Sequence, residues 1–441
     1  MTLPHSDDEQ LRATLQQQMA RLDVSDPPAE EQKESVAVRR ARRGQLRGTT
    51  EAKIALVRAD GVLRWTYQRP SRAVGMRRAR RAGTLVGARE VFSHSFREAP
   101  PNKVVEKLEL LDQKLTPNQG LRQWEDGAFR PLTAPAQTPR ALLFVHGTFS
   151  KSDMFFDELR SCPEGKAFLD RAAATYKQIL AFDHPTLSMS PMLNAIDLDK
   201  ALRGYSGTLD VICHSRGGLV ASWWLAFGVR KARRVVFVAS PLEGTNLASP
   251  ARLKETLDIL ANIADATQKL ASTGAAFVPP AAPLLGVAAG LMQVLGAGLS
   301  VGARSPLLDA GVAVVAGLAS QSRVKNNQEL IRLHQMKWGT APEFFAVRSD
   351  FEPGSPEDQW WQFWKRLRKP LTSFADVAVD SIFDGPNDLV VDVASMTRVL
   401  EKDLDSARIW DFGTNNRVHH CNYFAQPETA AFLTKKLLEQ A

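Results

Sequence analysis

The sequence predicts an α/β fold in which helices flank a mostly parallel sheet. Two observations predict it: after Pro135, short aliphatic runs alternate with helix-length segments, and each run is short enough for a strand buried on both faces. The predicted strands are 141–145, 178–182, 209–213, 234–239, 343–347 and 407–411, and the clearest helices are 156–176 and 218–229. Because parallel strands align their carboxyl ends, we expect functional residues at that edge of the sheet.

Three regions are expected along the chain. Residues 1–50 are polar and basic, and they are predicted to form a disordered arm with a frayed helix. Residues 51–135 are predicted to be a small accessory region, with hairpins around Asp60-Gly61 and Asp126-Gly127 and a short helix at 103–115. Residues 136–441 are predicted to form the main α/β domain, interrupted by a lid insertion at about 246–340.

Composition excludes several classes of protein. The 441-residue chain is 44% hydrophobic and 24% charged, which is the balance of a globular protein and not of a disordered or fibrous one. Three cysteines without a C-x-x-C pair argue against a disulfide framework, and His and Cys are too scattered for a metal centre, so we expect no metal and no cofactor. Residues 1–20 lack the pattern of a secretory signal, so we expect a cytoplasmic location.

Positive charge is concentrated in one segment. Residues 39–97 carry 16 Lys and Arg against 3 Asp and Glu, with arginine runs at 39–43 and 77–81. Such a field attracts nucleic acid, an anionic membrane or an acidic partner, although a solvated arm has the same pattern. No nucleic-acid module accompanies the runs, so we expect no nucleic-acid partner and keep peripheral contact with an anionic membrane as the alternative to the arm.

Two insertions interrupt the α/β alternation. Residues 270–303 contain no charged side chain, and 284–303 is long enough to span a bilayer, but its glycines and the prolines before it favour a buried or lid-forming helical hairpin. The insertion at 353–384 places tryptophans beside lysines and arginines. That pattern fits an interfacial helix or an amphipathic helix packed on the lid.

The third predicted strand runs directly into a helix, with Ser215 at the junction. Cys213 and Gly217 lie two residues to either side, and such a sharp strand-to-helix turn excludes bulky side chains at these positions. This pattern predicts a nucleophilic serine at the top of the sheet, with the positive end of the following helix directed at a developing anion. The strand 141–145 ends in His146-Gly147, and the backbone N–H groups of Thr148 and Arg216 are predicted to form an oxyanion hole. We expect His146 to support this loop.

A serine nucleophile needs a base and an acid that orients the base. In a fold of this kind the chain order is serine, acid, histidine. Of the histidines after Ser215, His334 lies before the last predicted strand, whereas His419 and His420 follow it, so one of these two is the predicted base. The acid is predicted in the preceding turn-rich loop, where Asp388 is the first choice and Asp384 and Asp392 are the alternatives.

These motifs resemble the α/β-hydrolase superfamily over residues 138–440, and within it the lipase-like branch of bacterial triacylglycerol lipases and GPI inositol-deacylase enzymes. His146-Gly147-Thr148 looks like the lipase oxyanion loop, and the run 213–218 looks like its nucleophile elbow. The run 386–391 is similar to the N-D-G-x-V segment that carries the lipase aspartate, but it lacks the glycine. The run 420–424 is similar to an H-x-N-Y-F ending, which favours His420 as the base.

The resemblance implies a serine hydrolase that cleaves carboxylic esters, lipase-like or esterase-like, through an acyl-enzyme on Ser215. Its substrate would be an ester or a lipid, covered by the apolar lid. Two alternatives remain: an acyltransferase that uses the same residues, and a non-catalytic scaffold with a basic partner-binding arm. The sequence predicts neither the oligomeric state nor the physiological substrate.

Overall fold

The computed structural model describes residues 5–22, 51–59, 61–68, 89–97, 103–228, 232–248, 253–272, 281–295, 315–323, 327–336, 342–352, 354 and 385–439. The strands are β1 (Ala52–Ala59), β2 (Val62–Gln68), β3 (Arg89–Phe96), β4 (Gly120–Glu125), β5 (Ala128–Pro131), β6 (Arg140–Val145), β7 (Ile179–Asp183), β8 (Thr208–His214), β9 (Ala232–Val238), β10 (Glu343–Phe351), β11 (Arg398–Val399), β12 (Lys402–Asp403) and β13 (Ile409–Asn415). The helices are α1 (His5–Leu22), α2 (Val104–Leu115), α3 (Asp153–Leu159), α4 (Pro163–Thr175), α5 (Pro191–Ala201), α6 (Gly217–Ala226), α7 (Leu253–Ser272), α8 (Ala281–Leu295), α9 (Ala316–Ala319), α10 (Gln328–Gln335) and α11 (Pro427–Leu433).

The main sheet has eight strands in the order β13-β10-β9-β8-β6-β7-β4-β5. The six strands from β13 to β7 pair in parallel, whereas β4 and β5 run antiparallel at one edge. One apolar core lies against α3, α4 and α11, and a second core lies on the other face against α5 and α6. This arrangement confirms the predicted α/β-hydrolase fold, with all six predicted strands in its parallel part.

The structure differs from the sequence prediction in the extent of one helix and in the placement of one hairpin. The predicted helix at 156–176 is divided into α3 and α4 because Pro163 lacks a backbone N–H and cannot continue a helix. The hairpin of β4 and β5, predicted to belong to the accessory region, is the edge of the main sheet, since β4 pairs with β7. The boundary predicted at residues 135 and 136 therefore falls inside a continuous sheet.

A third core unites the amino-terminal residues with the insertion after β9. The three-stranded sheet β2-β1-β3 packs with α1, α2, α7 and α8 around one apolar cluster, which we call the cap. The predicted disordered arm is wrong over residues 5–22, because Leu11, Leu15 and Met19 recur every four residues and are buried in this cluster. Arg58 in β1 also donates to Asp8 at 2.9 Å and to Asp265 in α7 at 2.7 Å.

The apolar helix α8 lies inside the cap. Its side chains from Leu285 to Val294 are buried, several against the sheet and α1. Within the described part of the chain, no helix combines the length and the hydropathy that a membrane crossing would need. The arginine runs at 39–43 and 77–81, residues 296–303 and the insertion 353–384 apart from Gly354 lie outside the described residues.

Candidate active site

Ser215 occupies the turn between β8 and α6 in a strained backbone conformation. Its φ is 53°, a left-handed value that non-glycine residues rarely adopt, and its N–H donates to the carbonyl of Val238 at 2.9 Å. A Cβ on Gly217 would lie 2.2 Å from the carbonyl oxygen of Val145, and one on Gly147 would lie 2.7 Å from Cβ of Ser215. Only glycine fits at both positions, which explains the small residues around the serine.

Three predicted residues meet at the carboxyl edge of the sheet. The Ser215 hydroxyl lies 2.9 Å from His420 Nε2, and His420 Nδ1 lies 2.9 Å from Asp388 Oδ2. These residues follow β8, β13 and β10 respectively, so parallel strands deliver them to one place. With Nδ1–H donating to the carboxylate, Nε2 is left as the acceptor for the serine proton. We call this chain of hydrogen bonds the Ser215–His420–Asp388 relay.

The Asp388 carboxylate is fully buried and accepts hydrogen bonds at both oxygens. Oδ1 accepts from the N–H groups of Val390 and Val391, at 3.1 and 2.8 Å, and Oδ2 accepts from the Tyr423 hydroxyl at 3.1 Å as well as from His420. These donors stabilise the ionised carboxylate at a position that is buried away from solvent. The H-x-N-Y-F pattern at 420–424 contains Tyr423 but does not predict this contact.

The alternative residues lie elsewhere. The His419 ring packs edge-on against Phe351, and burial lowers its pKa to about 4 although the neighbouring Asp388 carboxylate acts in the opposite direction. His334 Nε2 lies 3.0 Å from the carbonyl of Leu242, and Asp392 forms an ion pair with Arg323 at 3.1 Å. Asp384 lies outside the described residues.

His214 supports the relay from below. Its Nε2 lies 3.0 Å from the carbonyl oxygen of His420, so the ring donates this hydrogen bond through Nε2–H. Burial, reinforced by the charge of neighbouring His420, lowers the pKa of His214 to about 3 and keeps the ring neutral. The contact links the turn that carries Ser215 to the loop that carries His420.

The predicted oxyanion loop begins with a buried, neutral histidine. His146 Nε2 accepts from the N–H of His184 at 3.1 Å, so its proton lies on Nδ1, which donates to the Gly147 carbonyl at 2.9 Å. Burial lowers the pKa of His146 in spite of neighbouring Asp183. With both ring nitrogens occupied by backbone groups, His146 supports the loop that holds Thr148.

The residue after the nucleophile carries a buried guanidinium. Arg216 donates through Nη2 to the carbonyl of Met189 at 2.5 Å and to Asn194 Oδ1 at 2.7 Å, and through Nε to the carbonyl of Gly317 at 3.4 Å. Burial lowers the pKa of Arg216 to about 10, which leaves it charged at neutral pH. These contacts fix the backbone at the start of α6, and no local pattern in the sequence predicts them.

A cavity of about 380 Å³ opens onto Ser215 and His420. This volume lies within the range of about 300–1,000 Å³ typical of small-molecule sites. Apolar residues from the cap and from the loops of the main sheet form much of its wall: Phe149, Met154, Leu247, Ile259, Leu260 and Val390. Among the residues that the structure describes, Arg21 at the end of α1, Lys114 at the end of α2 and Lys151 before α3 also line it.

Comparisons with known proteins point to a family without an assigned function. Residues 113–438 match a domain of unknown function (DUF7379), and no curated protein matches the chain. Among solved structures, the chain is similar to lipase 1 from Pelosinus fermentans, at 12% identity and a TM-score of 0.40, over 68% of this chain and 100% of that one. It is also similar to EstA from Clostridium botulinum, at 13% identity and a TM-score of 0.38, over 75% and 97%. A third structure, Bacillus licheniformis lipase BlEst2 in propeptide form, aligns at 14% identity and a TM-score of 0.35, over 66% of this chain and 48% of that one.

Proposed function

Since this chain belongs to the DUF7379 family, whose function is unknown, we propose a function from its own residues: it is a lipase-like serine hydrolase that cleaves carboxylic esters. The observation that carries the proposal is the Ser215–His420–Asp388 relay, with both of its hydrogen bonds at 2.9 Å. The strained backbone of Ser215 and the cavity in front of its hydroxyl support the same assignment. A closer relation to GPI inositol-deacylase enzymes remains a prediction.

The proposed reaction forms and then hydrolyses an acyl-enzyme. Ser215 Oγ attacks the ester carbonyl carbon while His420 Nε2 takes the hydroxyl proton, and Asp388 stabilises the resulting imidazolium. The N–H groups of Thr148 and Arg216 hold the carbonyl oxygen as it becomes an anion. His420 gives its proton to the leaving alcohol, and water then attacks the acyl-enzyme by the reverse sequence of proton transfers.

Labelling with a fluorophosphonate probe tests this function without knowledge of the substrate. The wild-type protein should form a covalent adduct, and Ser215→Ala should form none because it lacks the nucleophile. Ser206→Ala is the matched control, since Ser206 is exposed and bonds to Gln137 near the opposite end of β8. Equal labelling of wild type and Ser215→Ala would disprove the nucleophile assignment.

Two alternatives use the same fold. Adding an alcohol acceptor to a turnover assay separates an acyltransferase from a hydrolase, because only the transferase yields the transesterified product in preference to the free acid. A non-catalytic scaffold with a basic partner-binding arm would give neither labelling nor turnover. The hydrogen-bond support around Asp388 favours catalysis over the scaffold, since a scaffold needs no oriented carboxylate behind the histidine.

A further inference from the structure

We propose that Gln321 is a positioning residue for the oxyanion hole, because its side chain joins the two segments that carry the proposed donors, Thr148 and Arg216. Gln321 lies in a described part of the insertion after β9, residues 315–323, which we call the clasp. The inference rests on the proposed function and concerns the same site, where it assigns a role to a residue that the sequence motifs do not indicate.

Gln321 contacts the oxyanion loop directly. It is 4% exposed and lines the cavity together with Ser215. The Thr148 hydroxyl donates to Gln321 Oε1 at 3.2 Å, and Gln321 Nε2 donates to the carbonyl of Gly317 at 2.6 Å. These contacts fix the orientation of the amide, because a reversed amide would bring its oxygen against the Gly317 carbonyl oxygen.

The Gly317 carbonyl extends the contact to the second donor residue. It also accepts from Arg216 Nε at 3.4 Å. Gly317 itself is held in place, since its N–H donates to the carbonyl of Leu187 at 2.9 Å and a Cβ on it would lie 2.0 Å from the carbonyl oxygen of Thr186. One fixed carbonyl therefore receives both Gln321 and Arg216, and this sets the spacing of the two side chains.

The oxyanion loop needs such support because its backbone is strained. Phe149, which follows Thr148, has a φ of 60°, in the left-handed region that non-glycine residues rarely adopt. An oxyanion donor is effective when its N–H lies about 2.7–3.1 Å from the developing anion. The hydrogen bond from the Thr148 hydroxyl to Gln321 holds the residue that carries one donor, and it opposes relaxation of the strained loop.

The backbone of the clasp is anchored independently of the Gln321 side chain. The N–H of Thr245 donates to the Gln321 carbonyl at 2.8 Å, and the N–H of Arg323 donates to the Thr245 carbonyl at 3.1 Å. Thr245 Oγ1 in turn donates to the carbonyl of Val390 at 2.5 Å, in the loop that carries the catalytic acid. Replacing the Gln321 side chain should therefore remove the link to the oxyanion loop and leave the clasp in place.

Gln321→Met tests the inference, because methionine fills a similar space and forms neither hydrogen bond. We expect kcat on a soluble p-nitrophenyl ester to fall roughly tenfold, which is less than the loss of about 10²–10³-fold when a donor is removed outright. A trifluoromethyl ketone, whose carbonyl oxygen becomes an anion when Ser215 Oγ adds to the carbonyl carbon, should lose affinity by the same factor. The alcohol with the same carbon chain forms no adduct, so its inhibition constant should stay as in the wild type.

A second variant breaks the same hydrogen bond from its other side. Thr148→Val removes the hydroxyl and keeps the backbone N–H, so it should show the same selective loss of kcat and of ketone affinity. Because both changes remove one interaction, combining Thr148→Val with Gln321→Met should cost little more than Gln321→Met alone. Additive losses in the double variant would contradict a shared role.

Gln178→Met is the matched control. Gln178 is 5% exposed and hydrogen-bonded to Gln123, and it precedes β7 at the end of the sheet opposite the site. This variant should lower the melting temperature and keep both kcat and the affinity for the ketone. Wild-type kcat and ketone affinity in Gln321→Met, or an equal loss in Gln178→Met, would overturn the inference. A loss shared equally by the ketone and the alcohol would also overturn it, since Gln321 would then shape the cavity and not the oxyanion hole.

Hydrogen–deuterium exchange separates this inference from the proposed function, because it needs no turnover. Peptides that contain Thr148 and Arg216 should exchange faster in Gln321→Met than in the wild type, and Gln178→Met should leave them unchanged. If the wild type labels with a fluorophosphonate but exchange and kcat are unchanged in Gln321→Met, only the positioning role fails. If the wild type does not label but these peptides exchange faster in Gln321→Met, the proposed catalysis fails and the positioning of the two residues remains.

Discussion

At the scale of single residues, the assignment of the acid depends on the contacts of Asp388. Asp388→Asn keeps the shape of the side chain but presents an amide to His420 Nδ1, so the histidine is no longer held in the tautomer that accepts the serine proton. We expect kcat to fall by about three to four orders of magnitude, as measured on a p-nitrophenyl ester. Asp384→Asn, the alternative from sequence, should remain within twofold of wild type. A large loss in Asp384→Asn with none in Asp388→Asn would transfer the role.

Tyr423 is a positioning residue whose effect runs through Asp388. Tyr423→Phe removes one of the donors to Oδ2 and leaves the ring in place, and losing a hydrogen bond to a charged group costs about 1.5–3 kcal/mol. We expect kcat to fall at least about tenfold while KM changes little, because Tyr423 contacts Asp388 and is not one of the described residues that line the cavity. Tyr176→Phe is the matched control, since Tyr176 donates to buried Asp210 at 2.7 Å, away from the site. It should lower the melting temperature and keep kcat, and an equal loss of kcat in both variants would contradict the role.

At the scale of elements, the strands and the site residues at their ends could be predicted from the sequence better than the packing of the helices. The strands around Ser215 carry a local signal, because a buried parallel strand reads as a short aliphatic run and the elbow requires small residues at fixed spacing. The role of α1 has no local signal of this strength. Polar residues separate its buried residues Leu11, Leu15 and Met19 from one another in the sequence. Its partner α8 lies more than 250 residues later in the chain. Long-range pairing of this kind is decided by tertiary contacts.

The same limit applies to the site. Ser215, Asp388 and His420 occur along the chain in the order serine, acid, histidine. This order allowed all three residues to be predicted from the sequence, and the structure brings them together. The buried guanidinium of Arg216 and the His214 contact to the His420 loop join segments that are distant in sequence. No rule of sequence spacing relates such segments, so these supporting contacts could not be predicted from the sequence and are seen only in the structure.

The helix α1 should couple the stability of the cap to the binding of substrate. Leu15→Ala creates a cavity in the cap cluster, and such a change costs about 2–5 kcal/mol. Since Gln18 and Arg21 of the same helix line the site, we expect a lower melting temperature together with a raised KM for the acyl ester. Gln16→Ala, on the exposed face of α1, should leave both quantities as in the wild type. A destabilised Leu15→Ala with a wild-type KM would show that α1 does not shape the cavity.

At the scale of the whole molecule, buried ionisable groups set the dependence of stability on pH. Burial lowers the pKa of His214 to about 3 and that of His419 to about 4, and it also lowers those of His146 and His184. The unfolded chain therefore binds more protons than the folded chain below about pH 6.5, so these histidines make stability fall as the pH falls through that value. A scan of melting temperature against pH should show this acid-side loss.

Glu158 changes the dependence of stability on pH in the opposite direction. Burial raises its pKa to about 8, although it accepts a hydrogen bond from the N–H of Phe424 at 3.0 Å. Between its unfolded pKa of about 4.3 and its folded pKa, the folded state binds more protons than the unfolded state, so this group makes stability fall as the pH rises towards 8. Below about pH 6.5 the four histidines and Glu158 change stability in opposite directions, and above that pH the effect of Glu158 remains while that of the histidines ends. We therefore expect the melting temperature to be highest near that pH.

The Glu158→Gln variant tests which group causes the loss on the alkaline side. Glutamine retains an oxygen for the Phe424 N–H and cannot ionise, so the variant should gain stability relative to wild type as the pH rises from about 5 to 8. Glu164→Gln, an exposed replacement on α4, should follow the wild-type curve and serves as the control. Because Phe424 lies four residues after His420, the same variant should hold kcat on a soluble ester more constant between pH 7 and 8.5 than the wild type does. If the melting temperature of Glu158→Gln changed with pH as it does in the wild type, Glu158 would be ionised in the folded protein and another group would cause the decline.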